Sequence, residues 1–113
     1  MDKIIKYLEH SKPLCLKDQI EYEPGKVVSL SLAQKSGVGM TLLALDEGAA
    51  LSTHAAPGDA MANILEGKAE IVIDGVVNEV NAGEIIIMPA TVPHSVKALT
   101  KFKMLLTVVK PWR

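Results

Sequence analysis

The chain has 113 residues, and its 12 basic and 13 acidic side chains give a formal net charge of −1. This length suits a single domain, residues 1–113, with one core, and the balanced charge offers no basic surface for nucleic acid or for an anionic membrane. Only 4% of the residues are aromatic, which leaves few rings on which bases or sugars can stack.

The N-terminal segment predicts a short helix. Between Asp2 and His10 the apolar residues Ile4, Ile5 and Leu8 fall on one helical face, and Pro13 would end such a helix. Cys15 is the one cysteine, so no disulfide can form within the chain. The start has no apolar stretch of signal-peptide length, and no apolar run approaches the roughly 18 residues of a membrane helix. We therefore expect a soluble, cytoplasmic protein.

From Lys26 onward the pattern changes to short runs rich in Val, Ile, Leu and Thr, which glycines separate. Many short strands with frequent turns are typical of an all-β sandwich or barrel. Asp74-Gly75 lies between two such runs and is a strong signal for a two-residue hairpin turn, because both residues tolerate positive φ. The predicted strands are Lys26–Leu32, Met40–Leu45, Ala62–Leu65, Ala69–Ile73, Val76–Val80, Glu84–Met88, Ser95–Ala98 and Phe102–Val109.

Two histidines stand at recognisable spacings. Five residues separate Gly48 from His54, five separate Gly83 from Pro89, and four separate Pro89 from His94. These spacings resemble the two motifs of the cupin superfamily: Gly, His-x-His, Glu and Gly in the first, then Gly, Pro, Gly, His and Asn in the second. The first motif runs here through Gly48, His54, Ala56, Ala60 and Gly67, and the second through Gly83, Pro89, Thr91, His94 and Ala98.

The resemblance implies a double-stranded β-helix, the jelly-roll cupin barrel, over about residues 25–110. It also implies a metal site, since three His and one Glu at the motif positions bind a metal in this family. Ala56 and Ala60 replace the second His and the Glu, so only His54 and His94 remain. Zinc sites use three or four protein ligands, and non-haem iron sites use two His and a carboxylate.

Our leading hypothesis is therefore a small-molecule-binding cupin with a degraded metal site at His54 and His94 and no tightly bound cofactor. The alternative is an oxygenase, isomerase or lyase that holds one divalent transition metal through the two histidines and a substitute ligand. Asp59 is the first candidate substitute, and Met61 is a poorer one. The family spacing turns Ala60 into the barrel, but a one-residue slip near Gly58 would turn Asp59 inward instead. A metal-free acid or base catalyst using His94 is a third hypothesis.

We also expect a roomy apolar pocket for a small, weakly charged molecule, because thioethers adapt to irregular ligands and alanines leave space. Small cupins commonly dimerise through their sheets, so the resemblance also implies a homodimer, and Trp112 is expected to cover a sheet edge or a partner subunit. The predicted pocket residues are His54, His94, Met40, Met88, Met104, Ala56 and Ala60.

Overall fold

A computed structural model describes residues 3–111, and within that range the chain forms nine strands and one short 3-10 helix at Leu16–Gln19. Eight of the strands are those predicted from the sequence, with ends that differ by up to three residues. The short strand that leads into His54 is the addition. The strands are β1 Val27–Gln34, β2 Val38–Leu45, β3 Ala50–His54, β4 Asp59–Glu66, β5 Lys68–Ile73, β6 Val76–Asn81, β7 Ile85–Met88, β8 His94–Ala98 and β9 Phe102–Val109.

The strands form two sheets whose pairs are all antiparallel. One sheet, here called sheet A, has the order β1-β2-β9-β4-β7, and the other, sheet B, has the order β3-β8-β5-β6. Consecutive strands such as β3 and β4 lie in different sheets, so the chain crosses repeatedly between the layers. The fold is the predicted jelly-roll barrel.

The β5–β6 hairpin turns where the sequence predicted. Asp74 has a φ of 49° and Gly75 a φ of 81°, as a type I′ turn requires at both central positions. The pairs on either side of the turn are Ile73 with Val76 and Ala69 with Val80. This register fixes which side chains of the hairpin enter the barrel.

The barrel interior is a closed apolar core between the two sheets. Alternate residues of the strands supply it, as the two-residue period of a strand requires; β1 and β3 contribute only the partly buried Val27 and Leu51, whereas Phe102, Met104 and Ile71 are wholly buried. Its buried members are Leu43, Leu45, Ala60, Ala62, Ile64, Ala69, Ile71, Val80, Met88, Val96, Ala98, Phe102 and Met104.

The segment before β1 lies over the outer face of sheet A and forms a second apolar cluster there. Ile20 is 5% exposed and packs with Leu32, Leu42 and Ala44, while Leu8 and Leu16 cover their edge. Because this segment shields the outside of β2, both faces of that strand are apolar. The sequence of β2 therefore gives no clear two-residue alternation.

The helix predicted over Asp2–His10 is wrong for residues 3–10, which contain no helix; Asp2 lies outside the described residues, as does Trp112. Tyr7 has a φ of 67° and Ser11 a φ of 68°, which a right-handed helix cannot contain. The Lys6 N–H instead donates to the Leu32 carbonyl at 2.8 Å. Tertiary pairing with β1 thus replaces local helix formation.

The structure contains no candidate membrane-spanning helix within residues 3–111.

A buried polar cluster fastens the same segment to the barrel. The Tyr22 hydroxyl donates to Glu66 Oε2 at 2.5 Å, and Lys103 Nζ donates to the Lys17 carbonyl at 2.6 Å. Lys103 also lies over the Tyr22 ring, 4.9 Å from its centroid. Burial, followed by the neighbouring Glu66, raises the pKa of Tyr22, so the phenol stays a hydrogen-bond donor.

The turn at Gly67, between β4 and β5, needs glycine for two reasons. Its φ is +80°, and a Cβ there would collide with the Lys101 carbonyl and with Phe102. Gly83 also has a positive φ, +88°, but a Cβ added to it meets open space. Alanine at Gly83 would therefore introduce backbone strain alone, whereas alanine at Gly67 would introduce strain and a steric collision.

We predict that Gly67→Ala lowers the free energy of unfolding by about 2 to 4 kcal/mol, because strain and collision add. Gly83→Ala should cost only about 1 kcal/mol, the strain alone. Urea unfolding of both variants measures the difference. Equal losses would show that the crowding at Gly67 relaxes without cost.

Candidate functional site

The two motif histidines meet at one end of the barrel, which we call the mouth. His54 ends β3 and His94 begins β8, and the two residues are register partners. A register shift between Leu51 and His54 turns His54 to the same side as His94. Their ring centroids are 4.4 Å apart with an interplanar angle of 68°, an edge-to-face arrangement. The predicted juxtaposition of the two imidazoles is present.

Both imidazoles are held in one tautomer by their own backbone. His54 Nδ1 lies 3.1 Å from the Ser52 carbonyl, and His94 Nδ1 lies 3.2 Å from the Val92 carbonyl. A carbonyl oxygen only accepts, so each Nδ1 carries the proton and donates. In the neutral rings each Nε2 is then left with its lone pair, free to accept a hydrogen bond or to bind a metal ion.

The two rings differ in exposure. His94 is 4% exposed, whereas His54 is exposed to solvent. Burial lowers the pKa of His94, and the neighbouring His54 lowers it further, against the opposing effect of the Val92 carbonyl. His94 therefore stays neutral at neutral pH, and its Nε2 remains an acceptor there.

The rest of the predicted ligand set does not converge on the histidines. Ala60 is 2% exposed and faces the barrel, as the family spacing predicted, so no slip occurs near Gly58. Asp59 and Met61 consequently point outward from sheet A. The Asp59 carboxylate accepts the Ala90 N–H at 2.8 Å, which is a turn-closing role rather than a place beside the imidazoles.

Within residues 3–111 no group of three or more His, Cys, Asp or Glu side chains is placed to hold a metal ion. His54 and His94 supply two nitrogen ligands, and the motif alanines supply none. The donor set thus falls short of the metal site that the fold family implies.

The predicted pocket residues separate into three groups. Met88 (1% exposed), Met104 (0%) and Ala60 belong to the closed core and fill the barrel. Ala56 lies at the mouth in the loop after β3. The placement of Met40 in the pocket is wrong, because Met40 packs against the outer cluster on the opposite face of sheet A. Because both faces of β2 are covered and apolar, the sequence does not show which of its residues face the barrel.

The sequence reasoning missed two residues beside the histidines. Ile73 of β5 is the partner of His94, and Val76 of β6 is the partner of Ile73. Register partners in antiparallel strands project to the same face, so His54, His94, Ile73 and Val76 form one row across all four strands of sheet B. We call this the mouth row. The Asp74-Gly75 turn could have predicted the pairing of Ile73 with Val76. Their position beside the histidines follows only from the pairing of β5 with β8.

The loop between β7 and β8 is braced on both sides of the mouth. The Thr91 N–H donates to the Ala56 carbonyl at 2.7 Å, and the Asp74 N–H donates to the Pro93 carbonyl at 2.9 Å. Thr91 stands where the family motif has glycine, and its φ of 66° is a conformation that a β-branched residue adopts only under strain. The braces hold this strained turn, and with it the start of β8 and His94.

A comparison with models of protein families identifies the family of this chain. A model of the cupin domain matches residues 41–110, which is more than half of the chain and includes both histidines. The chain belongs to the cupin-domain family and is a small cupin. A comparison with curated proteins finds no match.

Solved structures agree with this assignment. A conserved protein of unknown function from Streptococcus pyogenes is 41% identical, with a TM-score of 0.95 over 99% of this chain and 98% of that one. A cupin superfamily protein from Desulfitobacterium hafniense is 29% identical, with a TM-score of 0.90 over 95% and 98% of the two chains. A Cupin 2 conserved barrel domain protein from Leptotrichia buccalis is 39% identical, with a TM-score of 0.81 over 83% of this chain and 46% of that one.

The lowered pKa of His94 gives a pH dependence with a definite sign. The unfolded chain binds a proton at the ordinary histidine pKa of 6.5, and the folded chain binds it only at lower pH. The unfolded state therefore holds more protons as the pH falls through this window. We predict that stability drops below about pH 6.5, until the lower, folded-state pKa is passed.

Urea unfolding at about pH 7 and pH 5 checks this prediction. His94→Asn removes the titrating ring and should show a smaller loss of stability on acidification. His10→Asn alters an exposed histidine outside the barrel and should keep the wild-type loss. Identical losses in the wild type and His94→Asn would contradict the assignment.

Proposed function

We propose that this protein is a binding cupin that takes a small, largely apolar molecule at the mouth of its barrel, with His54 and His94 as the polar contacts. The observation that carries the proposal is the histidine pair itself. Two rings meet 4.4 Å apart, each with Nδ1 committed to a backbone carbonyl and each with Nε2 left for a ligand. Convergent polar atoms above apolar walls are the usual make-up of a small-molecule site.

The walls around the histidines support an apolar ligand. Ile73 adjoins His94 in the mouth row, and Val76 extends the row with 62% of its surface exposed. The core below the mouth is closed, because Met88 and Met104 are buried. The ligand therefore lies at the mouth rather than deep in the barrel, and its binding covers exposed apolar surface, which favours association.

The metalloenzyme hypothesis has less support. Asp59, its substitute ligand, faces away from the histidines and is bonded to Ala90, and two imidazoles alone do not make up a resident zinc or iron site. We therefore propose no metal-dependent turnover.

The first test is elemental analysis of untagged protein purified without chelator. We expect metal content far below one ion per chain, and the same trace level in the double variant His54→Ala, His94→Ala. Stoichiometric metal that disappears in the double variant would overturn the metal-free proposal.

The second test is a small-fragment screen followed by heteronuclear NMR. We expect ligands to shift the signals of the mouth residues, and the double histidine variant to lose these shifts while keeping the wild-type fold. Hits that persist unchanged in the variant would place the binding site elsewhere.

We further propose that the protein is a homodimer through the outer face of sheet A. Thr107, Met61 and Ile87 form a row across β9, β4 and β7 of that face, with Met61 38% and Ile87 51% exposed. None of these side chains is charged, so a second copy can stack on the row without like-charge repulsion. The corresponding row on sheet B is instead polar, and consists of Ala50, Lys97, Glu70 and Glu79.

We predict that light scattering after size exclusion gives twice the chain mass of 12.1 kDa for the wild type, and the single mass for Ile87→Lys. A buried lysine ammonium at the interface would lack a partner. Val77→Lys changes an apolar residue of sheet B that is 64% exposed and should remain dimeric. A monomeric wild type would contradict the proposal.

A further inference from the structure

The side chains of the mouth row indicate the chemical class of the ligand. We infer that the ligand is an amphiphilic alcohol or phenol, whose hydroxyl donates its single proton to Nε2 of His54 or His94 and whose apolar tail lies over Ile73 and Val76. This inference rests on the proposed function, because it specifies the ligand of that same site.

The hydrogen-bond pattern of the two imidazoles selects the polar head. Each Nδ1 already donates to a carbonyl, so each neutral ring offers the ligand only an acceptor, Nε2. A hydroxyl can donate to such an acceptor, whereas a carboxylate cannot, because it has no proton to donate.

The strand register selects the shape of the apolar part. His94, Ile73 and Val76 occupy three neighbouring strands, β8, β5 and β6, as successive register partners. Neighbouring strands lie nearly 5 Å apart, so the row extends about 10 Å from His94 to Val76. A tail of that length would run across the strands, not along them or down into the filled core.

Val76 has no role in the packed core that accounts for its apolar side chain. It alternates in phase with Val80, which is 4% exposed in the core, so it projects toward the mouth side of β6. Yet Val76 is 62% exposed at the tip of the hairpin. A ligand tail that reaches this position covers an otherwise hydrated isopropyl group.

The mouth row also lacks any permanently charged side chain. Its four members are two histidines, an isoleucine and a valine, so no ammonium or carboxylate of the row pairs with a charged ligand. Affinity must come from the hydroxyl contact and from burial of the tail, which is the combination that an amphiphilic alcohol or phenol provides.

The chain offers a matched control for the tail. Val77 is 64% exposed, against 62% for Val76, and it is the next residue on the same strand. Successive residues of a strand point to opposite faces, so Val77 lies on the outer face of sheet B. The same substitution at the two positions therefore differs only in the face that it alters.

The experiment measures the affinities of phenol, para-cresol, para-ethylphenol and para-butylphenol at neutral pH by NMR titration. Each added methylene should strengthen binding by roughly twofold to fourfold, since complete burial of one methylene gives about fourfold. para-Butylbenzoate, which replaces the hydroxyl with a carboxylate, should bind at least tenfold more weakly than para-butylphenol.

Val76→Ser should weaken para-butylphenol binding by about fivefold and leave phenol binding unchanged, while Val77→Ser should change neither. Thermal unfolding of both variants confirms that the hairpin remains folded. If phenol binds through the histidines but the alkyl series shows no gain, or if the two serine variants behave alike, the tail assignment is overturned and the proposed function stands. Equal or tighter binding of the benzoate would overturn the hydroxyl head.

If no member of the series binds, the ligand class is wrong. If neither the series nor the fragment screen shifts the mouth residues, the proposed function fails with it. The two failures are therefore distinguishable by the screen, which does not assume a ligand class.

Discussion

The pairing of β8 on both of its edges is the constraint on which the candidate site depends. On one side β8 sets His94 against His54 of β3, and on the other it sets His94 against Ile73 of β5. Because a register shift of one residue would turn every side chain of a strand to the opposite face, this double pairing fixes the histidine pair and its apolar neighbour together. The braces from Thr91 and Asp74 hold the loop that leads into β8.

Alanine at two of the four metal-ligand positions of the motif leaves only the two histidines as donor groups. Ala56 and Ala60 contribute no donor atom, and the surrounding core closes around them: Ala60 is 2% exposed and Met88 is 1% exposed. The histidines keep the backbone contacts that orient imidazoles in metal sites, but within residues 3–111 no third His, Cys, Asp or Glu side chain joins them to hold a metal ion. The same orientation that suits a metal ion then suits a hydrogen-bond donor.

The two outer faces of the barrel are not equivalent. Sheet B presents Lys97, Glu70 and Glu79 to solvent, as expected for a hydrated sheet face. The outer face of sheet A is largely apolar, with Asp59 and Lys103 as charged exceptions. The segment before β1 covers the part over β2, where Tyr22 and Lys103 fasten it, and the part over β4 and β7 stays exposed. The exposed part of sheet A around Met61 and Ile87 is therefore less charged than the outer face of sheet B.

The residue pattern was sufficient to predict the barrel and the meeting of the two histidines. Strand runs, the Asp74-Gly75 turn and the motif spacings act over short distances or repeat a family pattern, and the observed barrel, hairpin and histidine pair agree with them. The family spacing also indicated the inward direction of Ala60.

Three features depend on contacts between distant parts of the chain: the path of the segment before β1, the direction of Met40 and the neighbours of the histidines. The segment before β1 pairs with β1 instead of forming a helix, because a contact with Leu32 outweighs a weak local preference. Met40 faces outward, and the sequence could not show this because β2 is apolar on both faces. The union of Ile73 and Val76 with the histidines needs the register of β8 with β5, strands more than twenty residues apart in sequence. Register between distant strands is a property of the packed barrel, and no local pattern of residues encodes it.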